Sequence, residues 1–126
     1  MTLALNVPNC NQGQATIRFY EQDGSLDPTT LTKICHTDDE LVLQWACVDT
    51  DIISEYEHCN DPLYKQDAVL IFLATEGSYP HNYFEFEVSP KGQLFFADIT
   101  NTYGNCSEFS GRPYPCDPII YSARIL

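Results

Sequence analysis

Tyr83, Glu85 and Glu87 stand at alternate positions of the segment YFEFEVS, with Phe84, Phe86 and Val88 between them. In an extended chain alternate side chains share a face, so the tyrosine and two carboxylates form one side and the three apolar groups the other. The expectation is that the apolar side is buried and the acidic side wet. A tyrosine beside a carboxylate is chemistry suited to a sugar: the ring receives the apolar C–H face of a pyranose and polar groups around it take the hydroxyls. Tyr79, Asn82, Asn101 and Tyr103 fall in loop sequence that can close over the same end of the sheet. Any one of these tyrosines, taken singly, reads as an ordinary sheet or loop residue hydrogen-bonded through its phenol, so the site rests on their grouping.

Glu85 and Glu87 also have the makings of a glycosidase pair, since two carboxyl groups roughly 5 to 10 Å apart run that chemistry. Neighbouring acids on the open face of a strand are normally solvated, and the expectation is that the chain is not an enzyme. The sequence has no HExxH, GxSxG, P-loop or GxGxxG. His36, His58 and His81 are scattered. Asp49 with Asp51, and Asp38-Asp39-Glu40, supply hard oxygens of the kind calcium takes, but neither has EF-hand spacing and both read as exposed acidic loops. No cofactor is expected, calcium being the one weak candidate. A haem site would need an axial ligand such as methionine, and the sole Met is residue 1.

Six cysteines, Cys10, Cys35, Cys47, Cys59, Cys106 and Cys116, make an even set with no CxxC among them. Zinc ribbons and thioredoxin-type motifs are unsupported, and so many cysteines in a short acidic chain point to an oxidising compartment and three disulfides. Of the fifteen connectivities, the pair Cys59 with Cys106 is the one expected, because both lie in polar loop sequence flanking the central strands. Secreted localisation follows. Residues Met1 to Cys10 have no basic start and are interrupted at Asn6 and Pro8, so they are not a signal peptide, and the precursor is expected to carry one. Asn105-Cys106-Ser107 is a glycosylation sequon at Asn105, whose middle cysteine, if bridged, hinders access.

The chain has 126 residues, 18 acidic against 6 basic, for a formal charge of −12. That field repels phosphate backbones and anionic headgroups, so nucleic acid and membrane surfaces are not expected partners. No run reaches the roughly 18 apolar residues of a membrane span. Eight Tyr, seven Phe and one Trp exclude a disordered chain.

Eight prolines and six glycines cut the sequence into short segments, and no window sustains helical spacing for three turns. The expected elements are strands. Ala15 to Tyr20, a turn over Gln22 to Ser25, and Leu31 to His36 form a hairpin. Leu41 to Asp49 follows, with Leu41, Leu43, Trp45 and Cys47 on one face and Trp45 in the core. Asp51 to Lys65 is a long connection with a helical turn near Ile53 to Tyr56. Ala68 to Ala74 is apolar throughout, which suits a strand covered on both sides or a central strand whose outer face lines an apolar groove. Tyr83 to Ser89, a turn over Ser89-Pro90-Lys91-Gly92, and Gln93 to Ile99 make the next hairpin. Asn101 to Pro118 reads as loop and Ile119 to Leu126 as a closing strand. Asp67 is expected to tie down backbone N–H groups of the preceding loop. Together these predict one domain over residues 1–126, an all-β, two-sheet antiparallel, jelly-roll-like sandwich stapled by disulfides.

The stretch Tyr64-Lys65-Gln66-Asp67-Ala68-Val69-Leu70-Ile71-Phe72, followed by the hairpin from Tyr83 to Phe95, resembles the family 9 carbohydrate-binding modules and related DOMON-like secreted domains. The likeness covers roughly residues 41 to 101, and the hairpin is its more specific half. It implies a non-catalytic, lectin-like β-sandwich that binds a carbohydrate, with Tyr64 as one stacking wall and Lys65 beside it. Two departures stand out. Leu70 occupies a position where the family pattern has Glu, and the family's binding face uses tryptophans, whereas Trp45 is assigned here to the core. The second reading is a disulfide-stapled structural or protein-interaction module without a sugar site.

Overall fold

A computed structural model describes residues 5–75, 81–105 and 108–126. The chain is all-β, with two antiparallel sheets and no α-helix among the described residues. It divides into two compact units, Met1–Asp51 and Ile52–Leu126.

The first unit is a three-stranded sheet in the order β1 (Ala15–Tyr20), β2 (Leu26–His36), β3 (Leu41–Cys47). The turn into β2 forms where expected: the Glu21 N–H bonds the Ser25 carbonyl, and Gly24 takes a φ of +85° that an L side chain resists. The strand β2 starts earlier than expected, at Leu26. Its Pro28 is tolerated because the β1–β2 register is irregular between Arg18 and Tyr20, and β3 pairs only from Thr30 onward, so no ladder bond is demanded there. The Thr37 hydroxyl accepts the Asp39 and Glu40 N–H groups and closes the next turn, leaving Asp38-Asp39-Glu40 exposed. Thr32, Ile34 and Cys35 are buried. Trp45 is half-buried, not a core residue as expected, since it lies on an edge strand opposite Thr32.

The second unit is a four-stranded sheet in the order β4 (Val69–Leu73), β5 (Asn82–Val88), β6 (Leu94–Thr100), β7 (Ser110–Pro113). The Pro-Gly turn forms as read: the Gly92 N–H bonds the Ser89 carbonyl at 2.9 Å, and Gly92 has a φ of +81°. The hairpin runs in regular register from Val88 opposite Leu94 to Asn82 opposite Thr100. Three expectations are corrected. The helical turn is a 3₁₀ turn at Leu63–Lys65, because Ile53 and Glu55 are held extended by Asp67 and Gln66. Asp67 does tie down the preceding loop, its carboxylate accepting the Ile53 N–H at 2.6 Å. The last strand is Ser110–Pro113, inside the stretch read as loop; it takes the free edge of β6 from Ala97 to Thr100, and Ile120 to Leu126 has no regular structure. Finally, β4 is an edge strand and not a strand covered on both sides, with Leu70 and Phe72 open to solvent.

Among the described residues each unit carries one disulfide, Cys10 with Cys35 and Cys59 with Cys116. The expected partner of Cys59 was Cys106, which lies outside the described residues. Cys116 is placed beside Cys59 by hydrogen bonds on β6: the Tyr114 N–H bonds the Phe96 carbonyl, and Asn60 bonds Leu94, Phe96 and Tyr114. The expectation of a bridge at Cys47 is also corrected, because its thiol is free. The first unit holds Cys10, Cys35 and Cys47, so once two are joined the third has no partner within that unit.

Candidate functional site

Directly paired residues of neighbouring strands share a face, so the register divides the four-stranded sheet into two surfaces. One carries Ile71, Phe84, Phe86, Phe96, Asp98 and Arg112, joined by Tyr114 just past β7. The other carries Leu70, Phe72, Tyr83, Glu85, Glu87, Phe95, Ala97 and Ile99.

On the first surface the rings stand against one another. Phe86 and Phe96 are stacked with centroids 4.5 Å apart, Phe96 and Tyr114 are stacked at 5.1 Å, and the Arg112 guanidinium lies 5.1 Å from the Tyr114 centroid. Arg112 also pairs with Asp98 at 3.4 Å and donates to the Tyr114 hydroxyl. Ring faces are thus occupied by neighbours, which leaves mainly edges for a ligand. Phe84, 40% exposed, is the most open ring of the row, the reverse of the expected burial.

On the second surface the contacts are edge to face: Tyr64 on Phe95 at 6.3 Å and Phe72 on Tyr83 at 5.4 Å. A T-shaped contact covers one ring face of the pair and leaves others free. Tyr64 is 61% and Phe72 54% exposed, so both present open ring area. Tyr64 comes to this surface from the 3₁₀ turn, whose Leu63 is buried beneath it. Because Phe95 pairs with Glu87, Tyr64 lies at the Glu87 end of β5, and Tyr83 is four residues along, about 13 Å at strand rise. Glu85 stands half-buried between them. The arrangement is a row with an open tyrosine at one end, a half-buried tyrosine at the other and a half-buried carboxylate between them, beside the buried Ala97 and Ile99.

Much of this face is covered: Glu87, Ala97 and Ile99 are all buried. Glu87 is 0% exposed, with the Glu85 carboxyl and the Tyr64 backbone N–H beside it. Burial, followed by the neighbouring Glu85 carboxyl, pushes its pKa up to about 7, against a smaller opposing pull from the Tyr64 backbone N–H.

The structure therefore brings together Tyr64, Tyr83 and Glu85, with Lys65 exposed next to Tyr64. It places Asn82 on the opposite surface, where its side-chain oxygen accepts the Thr100 hydroxyl. Asn101 is occupied in its own loop, its amide donating to the Asn105 carbonyl and its oxygen accepting the Asn105 N–H. Tyr103 is exposed in the turn after β6, and Tyr79 lies outside the described residues. The Asn105 side chain bonds Glu108 through both its oxygen and its amide. Asp49 accepts the Asp51 N–H, and among the described residues no three His, Cys, Asp or Glu side chains gather as metal donors. The sequence reading missed Phe72 and Leu70, because a strand apolar at every position does not say which face is open; its position at the sheet edge does.

No helix among the described residues is long and apolar enough to cross a membrane. The chain is 27% identical over 114 residues to a protein of Arthroderma benhamiae named "Extracellular protein", a match covering 87% of this chain and 50% of that protein. It thus spans about half the length of the curated relative it matches. No protein-family model and no solved structure matches the chain.

Proposed function

We propose that this chain is a secreted, non-catalytic module that holds a carbohydrate on the strip Tyr64, Tyr83 and Glu85. The observation that carries the reading is the placement of two tyrosines and a carboxylate on one face of the four-stranded sheet, with the Tyr64 ring left open by its edge-to-face packing. The distance between the tyrosines favours a chain of sugars over a single ring. Two disulfides suit an extracellular compartment, and the similar fungal protein carries an extracellular name. Non-catalytic action is supported by Glu87: a glycosidase pair needs both carboxyl groups at the substrate, and this one has no accessible surface.

Affinity electrophoresis and pull-down on a panel of soluble and insoluble polysaccharides test the reading. Retention on at least one is expected, with Tyr64→Ala weakening it about tenfold, the value of one lost ring contact, at unchanged melting temperature. Uniform lack of retention across the panel rules the reading out. The second reading, a protein-interaction module, is favoured by one specific feature, the open apolar edge strand β4.

A further inference from the structure

The strand β4 lacks the devices by which sheet edges avoid pairing. Val69–Leu73 contains no charge, proline or glycine, and its ladder with β5 runs without a register shift. The other edges differ. On β1 there are Arg18 and an irregular register; β7 has four residues including Arg112 and Pro113; and β3, although it too has no charge, proline or glycine, sets no two large exposed apolar groups side by side, its exposed residues being Leu41, Gln44, Ala46 and Cys47. Leu70 is 44% exposed and Phe72 54%, side by side on one face of β4. No described strand pairs with the outer edge of β4.

The strand is also complementary to itself. Turned antiparallel about its centre, Ile71 faces its own copy, Leu70 faces Phe72, Val69 faces Leu73, Ala68 faces Ala74 and Asp67 faces Thr75. Every pair within the strand is apolar with apolar. In a chain of formal charge −12 a contact between copies must avoid opposed carboxylates, and this register opposes none from Asp67 to Thr75.

We propose that β4 is a homodimer interface, in which two copies of the chain pair edge to edge about Ile71 and continue the four-stranded sheet across a two-fold axis. The partner is a second copy because the seam is matched to itself in both apolarity and charge, the condition for an isologous contact. Backbone hydrogen bonds along the open edge supply the attraction, and the exposed Leu70 is covered by Phe72 of the partner subunit. The axis stands perpendicular to the sheet, so the Tyr64 and Tyr83 strips of both copies lie on the same side and a polymer meets two of them at once. The pairing itself does not depend on the carbohydrate reading. Because the copies repel at long range, pairing strengthens as salt rises.

Analytical ultracentrifugation of the full chain tests this. The wild-type chain is expected at twice its 14.3 kDa mass at about 100 μM, the range of a small interface, with more dimer at higher salt. The variants L70E/F72E and L70K/F72K each place like charges across the seam and sediment as monomers; mixed in equal amounts they restore a dimer, because each Glu then faces a Lys. A monomeric wild-type chain, or a mixture that stays monomeric while both variants keep the wild-type strand spectrum, overturns the proposal. A second measurement needs neither charged variant. In a Cys47→Ser/Cys106→Ser background, Ile71→Cys cross-links to itself under mild oxidation and Val69→Cys does not; equal yields from the two overturn the register.

Discussion

Glu87 and Glu85 occupy alternate positions of β5 and share one face of the sheet, yet Glu87 is fully buried while Glu85 reaches solvent. The folded chain therefore holds on to the Glu87 proton far longer than the unfolded one.

The first prediction concerns pH. With its folded pKa at about 7 against an ordinary 4.5, Glu87 binds more proton in the folded state throughout that window, so stability falls as pH rises from about 4.5 to 7. The loss at neutral pH is about 3 kcal/mol. Asp23, Asp27 and Asp61 work the other way: hydrogen bonds from Ser25, Thr29, and the His58 and Glu57 backbone lower their pKa values, so their contribution is lost on acidification below about pH 4. Melting temperature should peak near pH 4 to 5, on the order expected from these two windows. In Glu87→Gln the fall toward pH 7 should disappear; a fall of wild-type size in that variant refutes the assignment.

A second prediction concerns Asn60, which sits at a φ of +64° and bridges two segments. Its N–H bonds the Leu94 carbonyl, its side-chain oxygen accepts the Phe96 N–H at 2.8 Å, and its amide donates to the Tyr114 carbonyl at 2.7 Å. Asn60→Ala removes both side-chain bonds and strains the backbone, costing about 2 to 4 kcal/mol. Asn60→Gly loses the same bonds without the strain and should be milder by about 1 kcal/mol. Urea denaturation of the two variants reads the difference, and equal losses would show that the left-handed backbone carries no cost.

The disulfides should differ in weight. The Cys59–Cys116 bridge spans 57 residues and Cys10–Cys35 spans 25. On chain entropy alone the longer loop contributes about 4 kcal/mol and the shorter about 3.5. Chemical denaturation of Cys59→Ser/Cys116→Ser should therefore show the larger loss, and the reverse order would point to a denatured state already constrained near Cys116.

Among the described cysteines, Cys47 should be the thiol that labels in the native protein. It is exposed at the end of β3, but partial burial pushes its pKa up, with Asp27 and Asp49 adding to the rise and a Thr30 hydrogen bond opposing it. Alkylation should be slow at pH 7 and accelerate above the usual thiol range. Peptide mapping that finds Cys47 unmodified at high pH would contradict a free thiol.

Local chemistry was enough to foresee much of the fold. Alternation placed Ala15–Tyr20 and Asn82–Val88 within a residue or two, since a period of two is intrinsic to an extended chain, and the Pro-Gly turn then placed Leu94–Thr100. Gly24 and Gly92 marked their turns because only glycine adopts positive φ without strain. The presence of disulfides followed from composition. Asp67 announced its own role, because a carboxylate next to a loop bonds nearby N–H groups wherever the chain goes.

Pairings beyond the two hairpins escaped. The period separates the two faces of β5 but not which one is covered, and so the sequence put Glu87 in water when Leu63 and the 3₁₀ turn bury that end. A strand apolar at every position carries no mark of being at an edge, so the openness of Leu70 and Phe72 was settled by strand order. Cys116 met Cys59 because Asn60 and Tyr114 both bond β6, a relation between residues more than fifty apart that no local spacing encodes. Residue types and their periods are properties of the chain alone; burial, pairing and strand order belong to the arrangement of distant segments, and only tertiary structure decides them.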